Sequence, residues 1–371
     1  MSLGLLLLLT VVVLLPVGMF LKNRGLFTRA TPSPGYIAAA RETGVSVCIP
    51  ARNEEASIGG ALDCLCDSTH PNLEVIVLDD HSVDRTRDIA ESYGIKVIAS
   101  APLPEGWNGK QFACWQLANQ ATHARLLFID ADVRLKPEAI DLLLGHQMQA
   151  QVPLLSGFPR QITASFFERL LIPMMHYILL CYLPIDRMRG STDPAFSAGC
   201  GQLFLALKSN YFECGGHRAI AASRHDGIQL PKAFRRHQFQ TDIIDASDLA
   251  TCRMYADAPS VLRGLLKNAD EGIANPRLIL VFTTLLFFGS IAPPLLLLIS
   301  LCSGWSSWIV TYLLGLSAIS FLPRLMAARI FHQSWLGAML HPLSVSAFLA
   351  IQWTALIMKQ MGIKLAWRGR I

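Results

Sequence analysis

Four long apolar runs constrain this chain more than any other feature. Residues 3–21 are almost unbroken apolar sequence, and residues 278–301, 305–322 and 335–358 close the chain in the same way. Each has roughly the length of helix needed to cross the hydrocarbon core of a bilayer. They tilt the whole to 52% hydrophobic against 16% charged residues, which excludes an ordinary soluble protein. Lys22, Arg24 and Arg29 follow the first run, whereas only Met1 and Ser2 precede it. Basic residues stay on the cytoplasmic side, so residues 1–22 read as an anchor with its N-terminus outside and the next domain in the cytoplasm. A cleaved signal peptide would place basic residues before the run and small residues after it. The expected location is the cell membrane, with several crossings.

The C-terminal runs give a mixed signal. Trp305, Trp308 and Trp335 suit an interfacial belt. If residues 277–358 cross three times, the basic tail of residues 359–371, with Lys359, Lys364, Arg368 and Arg370, lies outside, against the same rule. The loop between Arg324 and Arg329 then falls inside, with it. Pro293-Pro294 and His341-Pro342 are places where a re-entrant or interfacial segment could replace a crossing. The net charge of +5 flanks the apolar runs and suits an anionic membrane surface rather than nucleic acid. Nine cysteines, with no Cys-x-x-Cys, read as reduced core thiols.

Residues 23–44, which include Thr31-Pro32-Ser33-Pro34-Gly35, read as a linker. Beyond them the pattern alternates. Strands at 45–50, 73–78, 95–99 and 126–129 are separated by helices at about 56–67, 86–93 and 111–120. That order predicts an α/β fold with a mostly parallel sheet covered on both faces. Ligands in such sheets bind outside the C-terminal strand ends, where three polar clusters fall: residues 50–55, residues 79–84, and Asp130-Ala131-Asp132. Alternation along a strand points Asp130 and Asp132 to the same side, where two carboxylates can share Mg²⁺ or Mn²⁺ and bridge it to a substrate phosphate. No Gly-x-Gly-x-x-Gly follows the first strand, and Gly109-Lys110 lacks the remainder of a phosphate loop.

These residues carry a family resemblance. Residues 45–55 resemble the opening strand and Pro-x-x-Asn-Glu turn of family 2 glycosyltransferases. Asp79-Asp80-His81-Ser82-Val83-Asp84-Arg85-Thr86 resembles their Asp-Asp-x-Ser-x-Asp-x-Thr motif, and Asp130-Ala131-Asp132 their metal-binding Asp-x-Asp. Residues 101–110, Ala-Pro-Leu-Pro-Glu-Gly-Trp-Asn-Gly-Lys, are similar to the membrane-bound branch associated with hopanoids and carotenoids. The resemblance implies a GT-A (Rossmann-like) domain over residues 45–270, a nucleotide-sugar donor (usually a UDP-sugar), a divalent Mg or Mn cation, and inversion at the anomeric carbon. Carried over by position, Pro50, Arg52 and Glu54 would line the nucleotide site. Asp79 would meet the uracil or ribose with Asp80 beside it, and Lys110 would sit near the diphosphate. Asp132 would hold the metal, and Asp130 would contact the ribose or the metal's surroundings.

The second half reads as the acceptor side. Residues 197–206 resemble the small-residue segment beside the family's acceptor site, and Asp226 stands where its general base is expected. His225 departs from the usual acid at that position and could orient Asp226 or take the proton itself. Arg253 would stabilise the leaving diphosphate, with Tyr255 in an aromatic role. The Gln and Trp that usually accompany that arginine are missing, which favours a single transfer over polymer synthesis. Residues 165–189 are apolar enough for a short crossing, but a crossing there would put Asp132 and Asp226 on opposite sides of the membrane. An interfacial helix fits instead, with the site at the membrane surface and a lipid or other hydrophobic acceptor such as a hopanoid, a carotenoid or a glycolipid precursor. Transfer to a polyprenyl phosphate, or a non-catalytic membrane scaffold with a degenerate nucleotide site, are the alternative readings.

Overall fold

The computed structural model describes residues 2–255, 257–269 and 271–363. Its centre is one mixed sheet of eight strands. In chain order these are β1 (Val45–Ala51), β2 (Leu73–Asp79), β3 (Lys96–Ala99), β4 (Arg125–Ile129), β5 (Val133–Leu135), β6 (Leu154–Gln161), β7 (Leu203–Leu207) and β8 (Thr241–Cys252). Their order across the sheet is β3-β2-β1-β4-β7-β6-β8-β5. The β1–β2, β1–β4, β2–β3 and β6–β8 pairs are parallel, whereas β7 runs antiparallel to both β4 and β6.

Strand alternation sorts the core into two layers. In β1, Val45, Val47 and Ile49 join Ile58, Leu62, Leu143 and Leu144 from the helices on one face. Cys48, with Ile76, Leu126 and Phe128, meets Ala113, Leu117, Leu230 and Phe234 from helices Gly109–Gln120 and Asp226–Arg236 on the other. That second layer places those helix starts beside the end of β4.

The expected linker, residues 23–44, contains a helix. Pro34–Glu42 is a helix with proline in its first turn. Arg41 Nε donates to Asp141 Oδ2 at 2.9 Å, tying this helix to Ala139–Ala150.

Helices Leu3–Arg24, Ile279–Cys302, Ser307–Ile330 and His341–Gln360 are each long and apolar enough to cross a membrane. Pro293-Pro294 does not interrupt the second. A π turn at Phe287–Ile291 precedes the prolines, which then occupy the first turn of the following helical stretch. The break comes before His341, where Trp335–Met339 forms a separate short helix. Of the basic tail, Lys364, Arg368 and Arg370 lie outside the described residues.

Residues 165–189 do not make one helix. Pro173 and Pro184 divide them into Phe166–Leu171, Met174–Tyr182 and Ile185–Gly190. Their apolar side chains are wedged between the sheet and the apolar bundle. Met174, Tyr177, Leu180 and Ile185 share a cluster with Phe158 and Ile243 on one side, and with Phe20, Leu286, Ala327 and Val345 on the other. Buried Asn23, at the end of the first apolar helix, donates to the carbonyls of Leu180 (2.9 Å) and Leu183 (2.6 Å).

Candidate active site

Register brings the three polar clusters to one rim. Ala51 lies opposite Asp79 in the β1–β2 pair, and Cys48 opposite Phe128 in the β1–β4 pair. The chain therefore leaves all three strands at about the same level.

The first two clusters are knitted together. Pro50 lies one residue before the end of β1, opposite Leu78. Asn53 and His81 both adopt left-handed backbone conformations, φ 52° and 55°, which Asn and His tolerate better than most residues. The Asn53 amide donates to Ser82 Oγ (3.0 Å), the Val83 amide to Asn53 Oδ1 (3.0 Å) and the Glu54 amide to Thr86 Oγ1 (2.7 Å). Arg52 donates to the carbonyls of Asp80 (2.6 Å) and His81 (3.4 Å). Asp79 and Asp80 are both buried at the mouth of β2, and Asp79 Oδ1 accepts the Ser82 amide at 3.3 Å.

The third cluster meets the acceptor half through one ammonium. Lys110 Nζ is 2.7 Å from Asp130 Oδ1 and 2.9 Å from Asp226 Oδ2, and it donates to the Gly201 carbonyl at 3.0 Å. Lys110 is in the first turn of Gly109–Gln120, capped by the Asn108 side chain. Asp226 opens helix Asp226–Arg236, where the helix dipole favours a negative charge. Burial alone would raise the Asp226 carboxyl, but the Lys110 ammonium, by its charge and its hydrogen bond, holds it down to about 2. Burial likewise opposes the Lys110 charge, yet Asp130 and Asp226 keep it well above the ordinary lysine range. His225 is pushed down by burial more than the Asp226 charge lifts it, so it stands next to the acid as a neutral ring. His217, lowered to about 3 by burial, is also neutral.

Glycines permit this packing. A Cβ on Gly201 would lie 2.0 Å from Asp226 Oδ1, and one on Gly227 would lie 2.8 Å from the Gly199 carbonyl. Residues 199–201 thus pass directly over the acid.

Asp132 does not share these partners. The strand ends at Ile129, and a turn closed by the Val133 amide on the Asp130 carbonyl (3.0 Å) replaces strand alternation. Asp132 instead meets the Cys252 thiol. Cys252 Sγ accepts from Gln202 Nε2 at 2.7 Å, Gln202 Oε1 accepts from Gln161 Nε2 at 2.8 Å, and the Gln202 carbonyl accepts the Asp130 amide at 3.2 Å. Asp132 Oδ1 is buried without a hydrogen-bond partner among the described residues. Burial first, then the charges of Asp130 and Glu54, push its carboxyl up to about 7. Arg253 points elsewhere, with Nε 3.1 Å from Glu168 Oε1 at the start of Phe166–Leu171.

Comparison with known proteins places this geometry. The sequence model of glycosyl transferase family 2 matches residues 46–204. The 4,4'-diaponeurosporenoate glycosyltransferase of Staphylococcus aureus (strain USA300) is 32% identical over 267 residues, 69% of this chain and 69% of its own. The chain is a family 2 glycosyltransferase. Among solved structures, the mannosyltransferase PcManGT from Pyrobaculum calidifontis, in complex with GDP-Man and Mn²⁺, covers 96% of this chain and 100% of its own. It has a TM-score of 0.51 at 14% identity, a likeness of fold.

In this glycosyltransferase, the backbone carbonyl of Gly201 and the side chain of Gln202 hold the site together, and no sequence signal marked them beyond their small-residue setting. Lys267, on helix Ala258–Ala269, was also missed. Burial and then Lys110 lower its ammonium to about 8, against the pull of Asp226 and Asp130.

Proposed function

We propose that this glycosyltransferase moves a sugar from a nucleotide-sugar, a UDP-sugar by family resemblance, to a hydrophobic acceptor at the cytoplasmic membrane surface, by one inverting displacement. The observation that carries this reading is the Lys110 bridge, 2.7 Å from Asp130 and 2.9 Å from Asp226. It joins the donor-side acid to the acceptor-side acid in a single site. The wedge of residues 165–189 between sheet and apolar helices supports delivery of the acceptor from the membrane.

A divalent cation, Mg²⁺ or Mn²⁺, fits Asp132, whose buried, unpartnered oxygen sits in surplus negative charge. Among the described residues no three His, Cys, Asp or Glu side chains cluster to hold an ion alone. That suits a set of one or two carboxylates, Asp132 with Asp130 nearby, completed by substrate phosphates. When bound, the ion supplies Lewis-acid charge for the departing diphosphate.

The residues of the chain divide the remaining work. Pro50, Arg52, Glu54, Asp79 and Asp80 shape the nucleotide end. Lys110 turns its ammonium toward the incoming diphosphate, which relieves Asp226 and makes it a better base. Asp226 takes the acceptor hydroxyl proton as attack proceeds, with His225 orienting it. Arg253 acts through Glu168 and fixes the wedge below the site.

One observation favours a second acceptor chemistry. With Lys110 beside it the Asp226 carboxyl is held to about 2, a weak base, and an acceptor that is already a carboxylate has no proton to remove and needs no base. The Staphylococcus aureus relative takes its name from a carboxylate, 4,4'-diaponeurosporenoate, in agreement with that reading.

Membranes containing the protein, incubated with labelled UDP- and GDP-sugars, test this. Labelled lipid stable to mild alkali means a glycoside, and alkali-labile lipid means an ester. Label on a polyprenyl phosphate, or nucleotide-sugar binding with no lipid product, would overturn the reading.

A further inference from the structure

Behind the active site, the junction of sheet, wedge and apolar bundle holds a buried cation with no acid paired to it among the described residues. Arg324 lies near the end of helix Ser307–Ile330 and is fully buried. Its Nη1 donates to the Pro173 carbonyl (3.2 Å) and to Gln333 Oε1 (3.1 Å), while Nε and Nη2 have no partner among the described residues. None of the ion pairs found among the described residues includes it. A buried guanidinium without a counter-ion is costly.

Both acceptors of the Arg324 hydrogen bonds, Pro173 and Gln333, line a small, partly open cavity with Gln161, Thr163, His176 and Phe331. Its volume is about 10 Å³, room for about one water molecule or one oxygen. His176 is 2% exposed and neither ring nitrogen has a partner among the described residues. Exposed apolar side chains stand within three residues of the lining residues on both sides: Ile162 and Phe166 around Thr163, Trp335 and Leu336 after Gln333. The two sides are tightly joined, since a Cβ on Gly337 would lie 2.1 Å from the Arg169 carbonyl. A small polar recess beside a buried cation, rimmed by lipid-compatible surface, suits one charged oxygen of a molecule whose remainder is apolar.

We propose that the recess lined by His176 and Gln333, with Arg324 behind it on the Pro173 carbonyl and Gln333, binds one phosphate oxygen of an acidic membrane lipid, separate from the donor and acceptor sites. The head-group oxygen enters the recess and its acyl chains lie along Ile162, Phe166, Trp335 and Leu336. This lipid locks the bundle to the catalytic domain. Gln161 links the recess to the active site, because it also donates to Gln202 Oε1.

The test is thermal unfolding of the full chain in nanodiscs of phosphatidylcholine alone, the same with phosphatidylglycerol, and phosphatidylcholine with inorganic phosphate. We expect phosphatidylglycerol to raise the melting temperature by roughly 4 °C, and inorganic phosphate to do less. Arg324→Gln and the milder Gln333→Leu should each lose most of that rise. Arg324→Lys should keep part of it. An equal response to phosphatidylglycerol in the parent and in Gln333→Leu, or no response in the parent, would overturn the site and leave the recess to water. A full response to inorganic phosphate alone would reject a lipid as the ligand. The readout needs no sugar transfer, so it stands apart from the proposed reaction.

Discussion

Lys110 decides how the acids of this site divide their work. It pairs with Asp130 and Asp226 and leaves Asp132 with surplus negative charge around it. Burial, with Asp130 and Glu54 adding to it, raises the Asp132 carboxyl from 3.8 to about 7. Between about pH 4 and pH 7 the folded protein keeps a proton there that the unfolded chain has released, so stability falls as pH rises through that window. Asp132→Asn should abolish the fall. In EDTA the variant should melt above the parent at about pH 8 and equally at about pH 4. The parent's apparent Mn²⁺ affinity should climb from about pH 6 to pH 8, because the proton must leave before the metal binds. Melting curves across pH, with and without Mn²⁺, check both. An unchanged pH slope in Asp132→Asn would show that the strain lies elsewhere.

At the scale of elements, the sequence disclosed the strands that carry the donor side. β2 and β4 are short apolar runs ending in acids, and β1 is one that runs into Arg52-Asn53-Glu54; the runs and these polar ends are local signals. The acceptor side was less legible. β7 is only five residues long and follows a small-residue loop, so nothing local shows that it slots antiparallel between β4 and β6. β5 has three residues, below what periodicity can reveal. The need to keep Asp132 and Asp226 on one side ruled out a crossing at residues 165–189, but nothing local shows that protein buries that wedge on both sides. The Arg253–Glu168 pair joins residues 85 apart in sequence, beyond any motif. Glu168 also receives the amides of Ala164 (3.1 Å) and Ser165 (2.5 Å) in a capping box. Glu168→Ala should therefore cost about 1–2 kcal/mol through the lost cap. The cost should appear in unfolding of the detergent-solubilised protein, together with a lower transfer rate at unchanged donor affinity. Arg253→Ala should cost less, since its side chain is about half exposed. Equal stability of Glu168→Ala and parent would remove the wedge from the account.

At the scale of the whole molecule, the sheet residues Phe158 and Ile243 share a cluster with Phe20 near the end of Leu3–Arg24, Leu286 in the first half of Ile279–Cys302, Ala327 near the end of Ser307–Ile330 and Val345 near the start of His341–Gln360. The turn between Ile279–Cys302 and Ser307–Ile330 lies at the other end of these two helices. With Cys302 replaced, Ser303→Cys should react with an impermeant thiol reagent in sealed cells, while Val83→Cys should react only after lysis. The reverse pattern would put the catalytic domain outside. The central claim is that the two halves of the chain build one site in which Asp226 receives the acceptor proton, and its most direct test is transfer by Asp226→Asn. The amide keeps the size of the acid but cannot take the proton, so turnover with a hydroxyl acceptor should fall by about 10²–10⁴-fold. Metal-dependent nucleotide-sugar binding, measured by calorimetry on the same sample, should be retained. Transfer at the parental rate by Asp226→Asn would contradict the account.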